Sequence, residues 1–373
     1  MVTPTQGDPD GALVRLSLDE RSYDIHITTG QVNRFTECLI GSIPDLSHAI
    51  VIADQAVSNL ADQIVAGLES QESEIRASRR NVPSGEPSKS IEQFESLLQW
   101  ILSVGGDRRS VVVAVGGGVI GDLAGFVAAS FARGIRLVQV PTTLLSMVDS
   151  SVGGKTGVNL PAAKNMVGAF WQPSLVLIDT EVMATLPQRT YLSGLAEVIK
   201  YGVIDDSPFF AWLESNATAL VERDGTALQH AIESSCRSKA RVVAEDERET
   251  TGRRAILNYG HTFAHAIEAN AGYGKLLHGE AVAIGMQMAA QLAVRLQMAD
   301  STLLQRQTEL IEACQLPTRY PEADPDKMIP VMMRDKKVAY GKLRFVLPTE
   351  IGVVELVGGI DEADVRAAIE SAS

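Results

Sequence analysis

The chain has 373 residues, of which 45% are hydrophobic and 21% charged. That is enough for two domains that each bury a core, and the mixture is neither that of a disordered chain nor that of a membrane protein. A net charge of −13 argues against nucleic acid as a partner, because a phosphate backbone calls for a basic face; a small anion would need lysines and arginines gathered locally.

No uncharged apolar run approaches the ~18 to 20 residues that span a bilayer. The opening MVTPTQGDPDGALVRLSL lacks the basic and apolar regions of a secretory signal, so residues 1–12 read as a polar lead-in. Cys38, Cys236 and Cys314 are odd in number and form no C-x-x-C pair, which fits reduced thiols and a cytoplasmic setting.

In residues 13–28, Leu13, Arg15 and Ser17 alternate with Val14, Leu16 and Leu18, the pattern of a strand and its return. HAIVIA, residues 48–53, is an apolar run closed by Asp54 and followed by the helix-like VSNLADQIVAGLE. A buried parallel strand feeding a helix fits it best. Asp54 either caps the next helix or stands where a nucleotide ribose is hydrogen-bonded. VPSGEPSKS, residues 82–90, reads as a loop before an amphipathic helix over Ile91–Leu102.

VVVAVGGGVIGDLAGF opens with a buried strand, and Gly116, Gly118 and Gly121 then satisfy G-x-G-x-x-G before a helix. Such glycines allow a tight turn and let backbone N–H groups close on a pyrophosphate. The next strand, Ile135–Val140, leads into Pro141-Thr142-Thr143 and carries no acid at its end. Asp54 on the earlier strand would have to serve instead, so the sheet order departs from the standard one. Residues 144–173 lack long apolar periodicity and read as a long ordered loop of functional character. Within it Lys155, Lys164 and Asn165 suit an anion, although a lone lysine is ordinarily just solvated. A strand over Ser174–Ile178 ends at Asp179.

Helical periods take over past Pro187, at 189–204, 208–223, 227–246, 258–270, 279–297 and 301–315. The reading is an α/β domain over residues 1–185 and an all-α domain over 186–373. Residues 334–357 alternate like strands around Gly341 and Pro348, and Asp361 caps a short last helix. Three of the six histidines lie in NYGHTFAHAIEANAGYGKLLHGE: His261 and His265 share a helix face, and His278 opens the next helix beside Glu280. Imidazoles gathered near carboxylates suit a zinc-like cation, or they are core and helix-starting histidines. Glu197 and Lys200 stand three apart, as a third ligand with its neighbour or as a surface ion pair. Lys239 and Arg254 read as ordinary charges by themselves.

Taken together, GGGVIGDLAGF, VPTTLLSMVDSSVGGKTGVN, FWQP, LAEVIKYG, LNYGHTFAHAIE, HGEAVAIGM and RDKK, with the pairs RG at 133–134 and KN at 164–165, resemble 3-dehydroquinate synthase over about residues 50–355. The resemblance implies an N-terminal nucleotide-binding α/β domain and a C-terminal helical, metal-binding one. It implies a zinc or cobalt ion held by Glu197, His261 and His278, with His265 turned to substrate. That set differs from the pair that helical spacing would select. NAD is implied at Asp54, Ser84, Gly85, Glu86, Lys89, Gly118, Val119, Ile120, Gly121, Asp122, Thr142 and Thr143, with Lys155, Lys164 and Thr185 at its edge. Substrate contacts are implied at Asp149, Lys155, Asn165, Lys200, Lys239, Arg254, Asn258, His265 and Arg344. Arg133 is implied to reach a neighbouring subunit's site, hence a homodimer. Of these residues, His265, Lys200, Asp149, Lys155 and Asn258 are the catalytic candidates. Arg344 stands where the family also has lysine, and Ala56 where asparagine is common.

The implied reaction converts 3-deoxy-D-arabino-heptulosonate 7-phosphate to 3-dehydroquinate and phosphate, a step of the shikimate pathway to aromatic amino acids. It runs by transient oxidation, elimination, re-reduction and aldol closure, with NAD restored. Such a substrate carries a charge of about −3, which Lys155, Lys200, Lys239, Arg254, Arg344 and a borrowed Arg133 would meet. The competing readings are a cyclase acting on a sugar phosphate without the carboxylate, and a metal- and NAD-dependent polyol dehydrogenase.

Overall fold

A computed structural model describes residues 11–70, 75–272, 275–334 and 343–372. They divide into two compact units: residues up to Leu186 together with Lys239–Ala244, and Pro187–Ser238 together with the chain from Glu245 onward.

The first unit is built on strands β1 (Gly11–Leu16), β2 (Tyr23–Thr28), β3 (His48–Asp54), β4 (Arg76–Val82), β5 (Val111–Gly116), β6 (Arg136–Pro141), β7 (Lys155–Leu160), β8 (Ala163–Phe170) and β9 (Leu175–Asp179). Its helices are α1 (Phe35–Ser42), α2 (Ser58–Leu68), α3 (Ile91–Ser103) and α4 (Gly118–Ser130). Seven strands form one sheet in the order β1-β2-β9-β6-β5-β3-β4, with β1 antiparallel to β2 and the other neighbours parallel. The continuous apolar runs of β3 and β5 follow from burial on both faces. Ala49, Val51 and Val113 join a core with Phe35 and Leu39 of α1 and Ile64 and Leu68 of α2. Ile50, Ile52 and Val112 face the opposite way into a core with Leu97 of α3 and Leu123 and Val127 of α4.

From β3 the chain continues to β4 on one side and β5 on the other. Such a reversal opens a crevice at the carboxyl ends of the two strands. Those ends are Asp54 on β3 and Gly116 on β5.

Two parts differ from the sequence reading. β4 carries Arg76, Arg79 and Arg80 and gives no strand pattern, yet it pairs along its whole length with β3 as the sheet edge. Residues 144–173 are not one loop: a π-helical turn at Ser146–Ser150 precedes the antiparallel hairpin β7–β8. Most of β8 is exposed, so it has no apolar face for periodicity to reveal.

The second unit holds α5 (Gln188–Asp205), α6 (Ser207–Val221), most of α7 (Gly225–Glu245), α8 (His261–Ala271), α9 (His278–Arg295), α10 (Ser301–Ala313), α11 (Pro325–Arg334) and α12 (Glu362–Glu370). α5 and α9 are its centre; both are buried over most of their length. A small hairpin of β10 (Arg344–Glu350) and β11 (Val353–Gly358) joins them, with the Phe345 ring 5.1 Å from that of Phe263. Asp361 caps α12 by accepting the Ala363 N–H at 3.0 Å. α11 has no counterpart in the sequence reading, because Pro330 interrupts its period. Tyr273 and Gly274 of the glycine turn, residues 1–10, and most of the 334–342 segment with RDKK lie outside the described residues.

Candidate active site

In the first unit the candidate nucleotide residues gather at the carboxyl edge of the sheet. The Gly116 backbone passes so close to β3 and α4 that an added Cβ would lie 2.8 Å from Ile120 and 3.2 Å from the Asp54 Cβ. Gly117 leads directly into α4, whose first residues Gly118, Val119, Ile120, Gly121 and Asp122 come straight after the turn. Unsatisfied N–H groups at such a helix start favour a bound anion. Asp54 accepts the Ala56 N–H at 2.9 Å and the Ser84 hydroxyl, so it is a cap and also faces the loop of Ser84, Gly85 and Glu86. Thr142, at the end of β6, donates its N–H to Gly116 O at 3.0 Å, and Thr143 is tied to Ser146.

Lys89 is buried, with its ammonium paired to Asp122 and 2.5 Å from Asn165 Oδ1. Burial raises the Asp122 carboxyl above its ordinary range, against the pull of Lys89. Asn165 holds a left-handed φ of 56°, its N–H bound to Asn159, which in turn binds Glu86. Lys155 begins β7 and Lys164 lies on β8, both exposed; Thr185 is exposed as well, its hydroxyl on Val182 O. Lys239 is buried and ion-paired to Asp149 at 2.6 Å, with a second bond to that residue's carbonyl. Arg133 is exposed with a left-handed φ of 71°, next to Gly134, where a side chain would strike Trp171 at 2.3 Å.

In the second unit α5 carries Glu197 with no exposed surface, and Lys200 at 1% exposure is ion-paired to it. A surface pair is thereby excluded. His261 Nε2 lies 3.4 Å and His278 Nε2 3.5 Å from Glu197 Oε1. Oε2 carries the Lys200 ammonium, and neither Glu197 oxygen accepts a well-directed hydrogen bond, which is unusual for a buried carboxylate. Charge-assisted hydrogen bonds are shorter, about 2.7 to 2.9 Å. Ligands roughly 2.0 to 2.2 Å from a tetrahedral ion stand about 3.3 to 3.6 Å from one another. The spacing therefore suits an ion between the three groups, whose ligand atoms all fall within 4.8 Å. Three protein ligands leave one position open, as in catalytic rather than structural sites.

His265 is not part of that cluster; its ring stands edge-on to His261 at 5.8 Å. Burial alone would raise the Glu197 carboxyl, but Lys200 and then His261 hold it well below the ordinary range. Burial pushes His261 down to about 4. It acts on His278 too, but there Glu197 and Glu268 prevail and carry the imidazole up to about 10.

Arg254 is 1% exposed, its guanidinium donating to Glu247 O at 2.6 Å, with Glu249 at 3.6 Å. Asn258 ends the same short 3-10 stretch, half-buried. Arg344 is exposed at the start of β10.

Comparison with known proteins gives the family. Models of the N-terminal and C-terminal parts of 3-dehydroquinate synthase match residues 79–193 and 194–338. A 3-dehydroquinate synthase of Rhodopirellula baltica is 59% identical over 95% of this chain and 96% of its own length. The chain belongs to the 3-dehydroquinate synthase family. The fold is also similar to a 2-epi-5-epi-valiolone synthase from Streptomyces hygroscopicus, solved with NAD+ and Zn2+. That enzyme is 28% identical, covers 95% of this chain and 98% of its own, and has a TM-score of 0.86. A 2-deoxy-scyllo-inosose synthase complexed with carbaglucose-6-phosphate, NAD+ and Co2+ is 25% identical over 97% of this chain and 100% of its own, with a TM-score of 0.87.

This family member surrounds its histidines with groups that the sequence reading missed. His261 Nδ1 lies 3.0 Å from Tyr259 O, which orients Nε2 toward Glu197. His278 Nδ1 faces Glu268 at 3.5 Å. Such outer partners fix ring orientation and tautomer in metal sites. Glu268 had a readable signal, being seven residues past His261 on the same helix face. Asp246 had none: its carboxylate accepts four backbone N–H groups, from Thr250, Thr251, Gly252 and Arg254, and so shapes the turn that presents Arg254.

Proposed function

We propose that the chain converts 3-deoxy-D-arabino-heptulosonate 7-phosphate to 3-dehydroquinate and inorganic phosphate. The observation that carries this reading is the buried carboxylate of Glu197 set at ligand spacing from two imidazoles, in a chain that is 59% identical to a 3-dehydroquinate synthase. Glu197, His261 and His278 would hold zinc or cobalt. NAD would lie along Asp54, the 84–89 loop, the turn into α4 and Thr142–Thr143, with Lys155, Lys164 and Thr185 at its edge. When bound, the cofactor takes up and returns one hydride, and the cation makes the substrate hydroxyl more acidic.

The chain's own residues do the rest. His265, half-buried one turn beyond His261, receives the hydroxyl proton on an imidazole nitrogen. Lys239 and Arg254 take the carboxylate, while Lys155, Asn165, Arg344 and a neighbouring subunit's Arg133 take the phosphate. Lys200, Asp149 and Asn258 complete the substrate contacts. The protein would work as a cytoplasmic homodimer.

The test is a mixture of protein, divalent metal, NAD+ and the heptulosonate phosphate. Phosphate should be released with no net NADH. Stoichiometric NADH would point to a dehydrogenase. Equal turnover of a sugar phosphate lacking the carboxylate would point to the cyclase alternative.

A further inference from the structure

His278 begins a helix, so no preceding turn of α9 holds it. Its direction depends on what fixes the residues around it, and each has a named hold. The Leu277 N–H is accepted by Glu280 Oε2 at 2.8 Å. The Gly279 N–H is accepted by the Ser193 hydroxyl at 3.0 Å. Arg189 grips both Glu280 oxygens, at 2.6 and 2.8 Å, and donates to the Lys275 carbonyl at 2.7 Å. The helices touch here: a Cβ on Gly279 would lie 1.7 Å from the Ser193 carbonyl oxygen.

Arg189, Ser193 and Glu197 are spaced four apart along α5 and so lie on one stripe of it. The helix that supplies the carboxylate ligand therefore also supplies both holds on the helix that begins with His278. We propose that Glu280, Ser193 and Arg189 are positioning residues that seat His278 against Glu197 and thereby set the affinity for the cation. The proposal rests on the reading of Glu197, His261 and His278 as ligands. A purely structural role fits poorly for Arg189, which is 57% exposed, since exposed ion pairs add little to stability.

The test uses the full-length protein, stripped of metal and titrated with Co2+ alone, following the visible absorption of the bound ion. NAD+ affinity and thermal midpoint are measured alongside. Glu280→Ala should weaken Co2+ binding by roughly 10- to 100-fold, the range for partners behind a metal-binding histidine. Glu280→Gln keeps an acceptor for the Leu277 N–H and should recover most of the loss. Arg189→Ala and Ser193→Ala, each removing hydrogen bonds that hold the start of α9, should weaken Co2+ binding by about 3- to 10-fold and alter its absorption, with NAD+ affinity unchanged. Arg189→Ala guards against misfolding, because its side chain is largely in solvent. Wild-type Co2+ affinity in both Arg189→Ala and Ser193→Ala would overturn the proposal. Should His278→Ala itself bind Co2+ like the wild type, the ligand assignment has failed, and the seat with it.

Discussion

The two units prepare their candidate sites by different means. In the first, position comes from the backbone: the switch in strand order leaves a crevice, and glycines at 116–118 let the chain close on whatever lies there. Several of the side chains concerned are exposed, among them Ser84, Lys155, Lys164 and Thr185. In the second, position comes from side chains gathered around a buried ion pair, Glu197 and Lys200, which have 0 and 1% of their surface exposed. Topology tolerates the loss of one side chain, whereas a buried charge cluster does not, because each member stabilises the others.

The largest effect should come from removing the carboxylate at the cluster's centre. Glu197→Ala takes a ligand from the cation and leaves Lys200 buried without its partner. An uncompensated buried charge costs about 3 to 5 kcal/mol. The expected outcome is loss of bound metal, a thermal midpoint lower by ten degrees or so, and no detectable phosphate release. Metal analysis and calorimetry check it. A variant that keeps its metal would break the contrast between the units.

Next in size is Lys239→Ala, which removes a buried ammonium from Asp149. Losing one member of a buried charged pair costs about 2 to 5 kcal/mol. The loss should fall on kcat/KM for the anionic substrate while Co2+ affinity holds. A matching drop in Co2+ affinity would show that the variant had disturbed the second unit as well.

A smaller, pH-dependent effect belongs to Asp246. Its four backbone N–H bonds overcome burial and bring the carboxyl down to about 2. A carboxyl that is more acidic folded than unfolded stabilises the protein at neutral pH. That contribution, about 2 kcal/mol, fades as the pH falls through about 4 toward 2. Asp246→Asn should be less stable than the wild type in urea at pH 7, with the gap closing in acid. A gap independent of pH would mean that geometry, not charge, holds the turn.

What the sequence made legible divides along the same line. The βα units, the glycine turn, the place of Asp54 at a strand end and six of the later helices were readable, because apolar period and turn chemistry are local. β8 was not, having no buried face, and neither was β4, with its three arginines. The Glu197–Lys200 spacing is the same on a surface as in a core, so burial alone separates the readings. Helical spacing pointed to His261 with His265, because it sees one helix at a time. The cluster joins three, and His278 enters it from a separate helix held by contacts with α5.

The smallest expected effect sharpens the comparison most. Asp54→Ala removes an acceptor from Ser84 and the Ala56 N–H but leaves the strand end in place. With a net hydrogen bond near 1 kcal/mol, NAD+ should bind roughly 5- to 10-fold more weakly. Gly116→Ala adds a methyl where Ile120 stands 2.8 Å away, pushing the turn itself out of place. If the first unit works through its backbone, that methyl should weaken NAD+ binding more than the loss of the whole Asp54 carboxylate, as read by NADH fluorescence. The opposite ranking would mean that the first unit, like the second, depends on a charged side chain at its centre.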